Sequence, residues 1–271
     1  MEIRQIATIA GKEFWDRLRN RWVLAVALVF TAFALVIAYF GAAQQGAVGF
    51  RSIEVTIASL VSLVIYLIPL IALMLGFDAI VGERERGSLD LLLALPITRF
   101  ELLLGKYLGL AAALAFSTVV GFGLVALVLA RQLDVGALFH YFGFMGSSVL
   151  LGMAFLSLAV MLSVFAADRT RASGLAIALW FFFVLVFDLL LLGALVLGGD
   201  GYGSEFYPYL LLANPADVFR ILNIFSLDDV RTLYGLATVF PPALAQPWML
   251  GGVMLGWIAL PLVIAAWRFR K

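Results

Sequence analysis

Residues 172–198 read ASGLAIALWFFFVLVFDLLLLGALVLG, and Asp188 is the single charged residue among them. A helix needs about 20 consecutive apolar residues to cross the hydrocarbon of a bilayer, and this stretch is longer. A membrane strand alternates apolar with polar residues, whereas this stretch is apolar on every face. The stretch therefore predicts a transmembrane helix.

The composition of the whole chain also indicates a membrane protein. Of its 271 residues, 64% are hydrophobic and 13% are charged. Soluble domains carry about 45–50% apolar and about 25% charged residues, so soluble, disordered and disulfide-linked classes are excluded. The net charge of +1 offers no bulk basic charge for nucleic acid.

Six stretches are long and apolar enough to predict transmembrane helices. Because backbone polar groups must be satisfied within lipid, the predicted fold class is all-α, a polytopic membrane protein with residues 1–271 as one transmembrane domain. The predicted spans are about Trp22–Gly41, Thr56–Phe77, Tyr107–Ala130, Tyr141–Ala166, Ala172–Gly198 and Trp248–Trp267.

The distribution of Lys and Arg predicts the topology. Fourteen lie before the first span, after the second and fourth spans and at the C-terminus, and four lie on the other side. Since cytoplasmic loops carry the excess of positive charge, both termini are predicted to be cytoplasmic. The first 21 residues are too charged for a cleavable signal peptide.

Residues 1–21 combine helically spaced apolar residues, such as Ile6, Phe14 and Trp15, with basic ones. This pattern predicts an interfacial elbow helix before the first span. The alternative is a solvated N-terminal helix.

Residues 82–106, here called the charged segment, come after the second span. Charges of alternating sign over 83–86 precede a short leucine-rich helix, which Pro96 ends. Thr98 then caps the next helix, with Glu101 completing a capping box. Exposed leucines beside charges predict a contact site, and the alternative is a loop that packs on its own bundle.

Asp168–Arg171, here called the charged turn, is short and by default an ordinary turn. Paired with the charged segment, it could form a second, smaller contact on the same face. Asp78, near the inner end of the second span, is predicted to lie at the interface or to pair with the charges at 83–86.

Gly199–Pro247, here called the long segment, lies on the opposite side of the membrane from the termini. Asn214 caps a predicted amphipathic helix with Pro215 at its first position. Ser226 caps a second one, which Pro241-Pro242 ends. These helices predict a lid or a docking platform, and simple packing over the bundle mouth is compatible with both.

Asp188 lies deep in the fifth span, where an acid costs about 2.5–3.5 kcal/mol to insert. Intramembrane acids usually face a bundle interior or a cavity, so Asp188 is predicted to lie on a translocation pathway or to carry a proton. The alternatives are a neutral hydrogen-bonded structural residue or a dimer contact.

The chemistry of most enzymes is missing. The chain has no Cys and a single His, His140, and it lacks a phosphate-binding G-x-x-x-x-G-K-[ST] loop and a G-x-S-x-G elbow. We therefore expect no catalytic residue, metal or cofactor in this chain. Met145, Met153 and Met161 share roughly one helical face, but such residues fill core gaps more often than they bind copper.

The run Glu83-Arg84-Glu85-Arg86-Gly87-Ser88-Leu89, with Leu95-Pro96-Ile97-Thr98-Arg99 and Lys106, resembles the coupling segment of ABC-2 type transporter permeases. These are six-span subunits with an N-terminal elbow helix and outer helices before the last span. Within that family, Asn214-Pro215-x-Asp217-x-Phe219-Arg220 is similar to the permeases that serve maturation of periplasmic nitrous oxide reductase.

The resemblance implies partners for a subunit that binds no nucleotide itself. It implies a homodimer in the bacterial inner membrane, surrounded by lipids, with two cytoplasmic ATPase subunits that hold ATP and Mg²⁺. It also implies a periplasmic β-helical protein and a role in assembly of a copper–sulfur centre. The residues implied at the ATPase contact are Glu83, Arg84, Glu85, Arg86, Leu89, Leu92, Pro96, Arg99, Asp168, Arg169 and Arg171. Those implied at the periplasmic contact are Asn214, Pro215, Asp217, Phe219 and Arg220.

Three other functions stay open at this point. An ABC-2 exporter of a lipid, polysaccharide or drug shares the same pattern. A stand-alone secondary transporter predicts a repeat between the two halves, which the sequence does not offer. A membrane enzyme needs a polar cluster at one membrane face, which Asp188 alone does not supply.

Overall fold

The computed structural model describes residues 2–19, 22–40, 53–129, 135–202, 207–224 and 246–270. Within these ranges the regular elements are all helical, as predicted. In chain order they are α1 (Ile3–Arg19), α2 (Trp22–Phe40), α3 (Ile53–Gly76), α4 (Val81–Glu85), α5 (Ser88–Leu93), α6 (Arg99–Leu129), α7 (Val135–Phe165), α8 (Arg169–Phe181), a π-turn (Phe182–Val186), α9 (Phe187–Tyr202), α10 (Tyr207–Leu211), α11 (Pro215–Ile224) and α12 (Pro247–Phe269).

Five helices are long and apolar enough to cross a membrane: α3, α6, α7, the continuous run from α8 to α9, and α12. They confirm five of the six predicted spans. The first span, in α2, contains a shorter apolar helix at Ala25–Ile37, so its crossing stays a prediction. The helix predicted to begin at Ser226 lies outside the described residues.

Helix α7 lies at the centre of the bundle, with α3, α6, α11 and α12 packed against it. Close approach requires small residues: a Cβ built on Gly76 of α3 would lie 2.7 Å from the Cβ of Ala159. Aromatic rings fill the remaining space, with Phe155 edge-on to Phe183 at 5.9 Å. In lipid, such van der Waals packing replaces the hydrophobic effect as the source of helix association.

Helix α1 packs along the first turns of α6 through two glycines. A Cβ on Gly105 would lie 2.7 Å from the Cβ of Ile9, and one on Gly109 would lie 2.5 Å from the carbonyl oxygen of Ala10. Ile3 and Trp15 are exposed on α1. The structure thus has a helix where the elbow was predicted, and its position at the membrane surface stays a prediction.

Candidate functional site

The charged segment folds as local rules predict. Gly87, with φ of 71°, takes the left-handed conformation between α4 and α5 that favours glycine. At the start of α6, the amide of Thr98 donates to Glu101 Oε2 at 2.9 Å, and the amide of Glu101 donates to Thr98 Oγ1 at 3.2 Å. This reciprocal pair confirms the predicted capping box.

Three charged side chains, Glu13, Glu83 and Lys106, form a group that we call the lysine cluster. Lys106 Nζ of α6 donates to Glu13 Oε1 of α1 at 2.6 Å and to Glu83 Oε1 of α4 at 3.0 Å. The hydroxyl of Ser88 also donates to Glu83. Because a buried ammonium must be paired, this contact fixes α4 of the charged segment to α1 and α6.

The charged segment and the charged turn meet at the same end of the bundle. Arg169 donates from its guanidinium to Asp78 Oδ2 at 2.9 Å and from its amide to Glu85 Oε1 at 2.7 Å. Arg84 donates to the carbonyl oxygen of Ala166 at 3.0 Å. Arg86 lies 3.7 Å from Asp78, which confirms the predicted pairing of Asp78 with the charges at 83–86.

Asp168 caps α8 by accepting from the amide of Arg171 at 2.7 Å. Together with the contacts of Arg169 and Arg84, this places the two loops side by side, a pairing that the sequence left open.

The residues implied at the ATPase contact divide between the surface and the interior. Leu89 is buried, and Glu83 and Leu92 are half-buried. Arg99 is exposed and donates to the carbonyl oxygen of Phe269 at 3.0 Å. The exposed members are Arg84, Glu85, Arg86, Pro96, Arg99 and Arg171, and Asp168 and Arg169 are half-buried.

Two further apolar side chains, Leu91 and Leu95, belong to this surface, which we call the α5 face. They are 74% and 54% exposed. The resemblance implied the whole run that contains them as the contact, but the sequence did not say which of its leucines face outward. A groove of about 470 Å³ beside Leu95 lies between α1, α5 and α6.

Asp188, Asp217 and Arg220 form a second group, here called the arginine cluster. Arg220 donates to Asp188 Oδ2 at 3.1 Å, and it also pairs with Asp217 three residues before it. Sequence reasoning saw no base for Asp188, since its partner lies 32 residues away along the chain. The pathway role of Asp188 stays a prediction.

Asn214 connects this cluster to the π-turn. Its side-chain Nδ2 donates to the carbonyl oxygen of Phe183 and to Asp217 Oδ2, both at 2.9 Å. Its side-chain oxygen accepts from the amide of Ala216 at 2.9 Å, which confirms the predicted helix cap. A π-turn displaces backbone carbonyls from their usual helical partners, and Asn214 satisfies one of them.

Most of the residues implied at the periplasmic contact face the interior of this chain. Asn214, Asp217 and Phe219 are buried within this chain, and Arg220 is half-buried. The pKa of Asp217 is raised to about 7, chiefly by burial of its carboxyl, and the guanidinium of Arg220 opposes the rise. Docking of a partner by this motif stays a prediction. In the structure, the hydrogen bonds of Asn214 hold the start of α11 in place.

Met145, Met153 and Met161 are partly buried and pack against the apolar core. Their contacts are those of gap-filling side chains.

Comparison with known proteins agrees with this architecture. Residues 7–271 match the family model described as "ABC-2 family transporter protein". The chain is 45% identical over 276 residues to "Probable ABC transporter permease protein NosY" of Stutzerimonas stutzeri, covering 99% of each chain. It is 46% identical over 270 residues to the protein of the same name from Pseudomonas aeruginosa, covering 97% of each.

Proposed function

Because the chain belongs to the ABC-2 family of transporter proteins, we propose that it couples ATP hydrolysis by partner subunits to movement across the bacterial inner membrane. Two copies of the chain form the membrane part, and each receives one cytoplasmic ATPase. ATP and Mg²⁺ bind in the ATPases, and the termini of this chain lie on the same side as they do.

The observation that carries this proposal is the surface made by the charged segment and the charged turn. Arg169 joins the two through Asp78 and Glu85. The exposed leucines of the α5 face stand beside exposed charges on this surface. An apolar patch rimmed by polar residues is typical of a protein contact.

The mechanism is a shift of population between two arrangements of the bundle. ATP-driven closure brings the two ATPases together and displaces the α5 face of each copy. A ligand shifts such an equilibrium only by binding one arrangement better, and here the closed ATPase dimer acts as that ligand.

We further propose that the system serves assembly of the copper–sulfur centre of nitrous oxide reductase. The support is the Asn214–Arg220 motif together with identities of 45% and 46% to two NosY permeases. The chain itself has no Cys and one His, so export of a sulfur species or force transmission to a periplasmic β-helical protein fits better than copper binding.

The ATPase contact is tested by Leu91→Ser, which removes exposed apolar surface from α5 without touching the core. We expect at least a tenfold weaker binding of the ATPase subunits by the purified permease, measured by interferometry in detergent. Ala94→Ser, at an exposed position one turn along, is the matched control and is expected to bind normally. Unchanged binding by Leu91→Ser would exclude the α5 face as the contact.

The wider system is tested by mass spectrometry of proteins that co-purify with the chain from its own membranes. We expect a soluble ATPase and a periplasmic β-helical protein. Recovery of an ATPase with glycan- or lipid-synthesis enzymes instead would identify an ABC-2 exporter of another cargo. Substrate flux by the chain alone in vesicles would identify a secondary transporter.

A further inference from the structure

The run from α8 to α9 joins the two candidate regions of the molecule. It begins at Arg169, which contacts Asp78 and Glu85 at the charged segment. Asp188 comes 19 residues later and contacts Arg220. At a rise of about 1.5 Å per residue, these two contacts are about 28 Å apart, close to the thickness of a bilayer core.

This run has fewer buried residues within its own chain than the other candidate spans. Of the five candidate spans it is the least buried, with 22% of its apolar window inside the bundle, compared with 67% for α7. Fewer packed contacts lower the cost of moving one element relative to its neighbours. Its polar contacts at Arg169 and at Asp188 connect it to the charged segment and to α11.

Helix α11 lies between this run and the central helix α7. At one end, Asn214 and Arg220 contact the run through the carbonyl of Phe183 and through Asp188. At the other end, Asn223 Nδ2 donates to Ser147 Oγ of α7 at 3.0 Å. Helix α11 is therefore linked by side-chain hydrogen bonds both to the run and to α7.

We propose that the run from α8 to α9 is a lever, and that the Asp188–Arg220 pair is the joint by which it moves α11. In this proposal, displacement of the α5 face moves the run through Arg169, and the run moves α11 through Arg220. Arg220 is thus a positioning residue for the proposed function, on which this inference rests.

The test uses spin labels in the complex of the permease with its ATPases. Because the chain has no cysteine, single labels can be placed at Thr170→Cys, at the start of α8, and Ala213→Cys, next to Asn214. Both positions are exposed. Distances between the two copies are measured by pulsed electron resonance, without nucleotide and after trapping with ATP and vanadate.

We expect both labels to shift on trapping in the unaltered complex. With Arg220→Met, the label at 170 still shifts, whereas the shift at 213 falls to less than a third. Arg220→Lys keeps the charge and restores at least half of it. Arg268→Met, an exposed arginine of α12, is the control and leaves both shifts unchanged.

A full shift at 213 in Arg220→Met overturns the lever and leaves the proposed function intact. Absence of a shift at 170 in the unaltered complex overturns the proposed function itself. If Arg220→Met does not assemble, Asp188→Asn provides the decision, since it leaves Arg220 paired with Asp217. A shift at 213 reduced by about half supports the joint, and an unreduced one overturns it.

Discussion

The lysine cluster and the arginine cluster have the same composition and different surroundings. Each places one cation between two carboxylates. The side chains of Lys106 and Glu13 are only 5% and 9% exposed, whereas those of Arg220 and Asp188 are 34% and 38% exposed and that of Asp217 is 1% exposed. The lysine cluster thus joins three helices with little exposure, whereas the arginine cluster is closed at Asp217 and more open at Asp188.

This difference decides what each cluster can do. A closed, desolvated ion pair is costly to break, because either partner left alone is an uncompensated buried charge. In the arginine cluster, Arg220 keeps Asp217 as a partner when its contact with Asp188 opens. The lysine cluster therefore suits a fixed connection of the charged segment to α1 and α6, and the arginine cluster suits a connection that moves.

The largest effect is expected for Lys106→Met. It leaves Glu13 and Glu83 without their shared cation, so the free energy of unfolding should fall by about 3–5 kcal/mol. Reversible unfolding in mixed micelles measures this change. The control is Lys12→Met, where a side chain 63% exposed pairs with Asp16 and a loss below about 1 kcal/mol is expected. Equal losses in Lys106→Met and Lys12→Met would show that the lysine cluster is no more costly to break than an exposed pair.

A smaller effect is expected for Gly109→Ala, which tests the support of the lysine cluster. The new Cβ would lie 2.5 Å from the carbonyl oxygen of Ala10 and 2.6 Å from the Cβ of Glu13, so α1 must shift. Overpacking of this kind costs about 1–3 kcal/mol. Gly123→Ala, in the same helix with nothing within 4 Å, should leave the free energy of unfolding unchanged or raise it by up to about 1 kcal/mol, because alanine favours a helix over glycine. A loss at Gly123 that matched the one at Gly109 would show that the contact with α1 is not the cause.

The smallest effect is expected for Asp188→Asn. The amide oxygen still accepts from Arg220, and Asp217 still balances its charge, so unfolding should change by only about 1 kcal/mol. A loss as large as that of Lys106→Met would mean that the arginine cluster is as closed as the lysine cluster. Retained stability with reduced movement of α11 would sharpen the contrast instead.

Local rules carried much of the fold. The capping box at Thr98 and Glu101 and the cap at Asn214 each depend on residues within three or four positions, and each is observed. Five apolar spans can be predicted from length alone. Contacts between distant residues could not be predicted in this way: Lys106 meets Glu13 from 93 residues away, and a single sequence gives no signal for that pairing.

The leucines of α5 show a second limit of sequence reasoning. Leu89 faces the core and Leu91 faces outward, although the residue type is the same. The direction of each leucine in so short a helix is decided by the elements against which it packs, here α4. Family resemblance implied the whole run and named Leu89 and Leu92, whereas the folded chain shows that Leu91 and Leu95 are the exposed leucines.

The π-turn at Phe182–Val186 decides which side of the helix the side chains of α9 face. Each residue of an α-helix advances the chain by about 100° around the axis, and a π-turn accommodates one residue more than a regular turn. A chain shortened by one residue there would leave Arg169 unmoved and swing Asp188 about a quarter-turn away from Arg220. The single additional residue thus sets the rotation of Asp188 around the helix axis relative to Arg169.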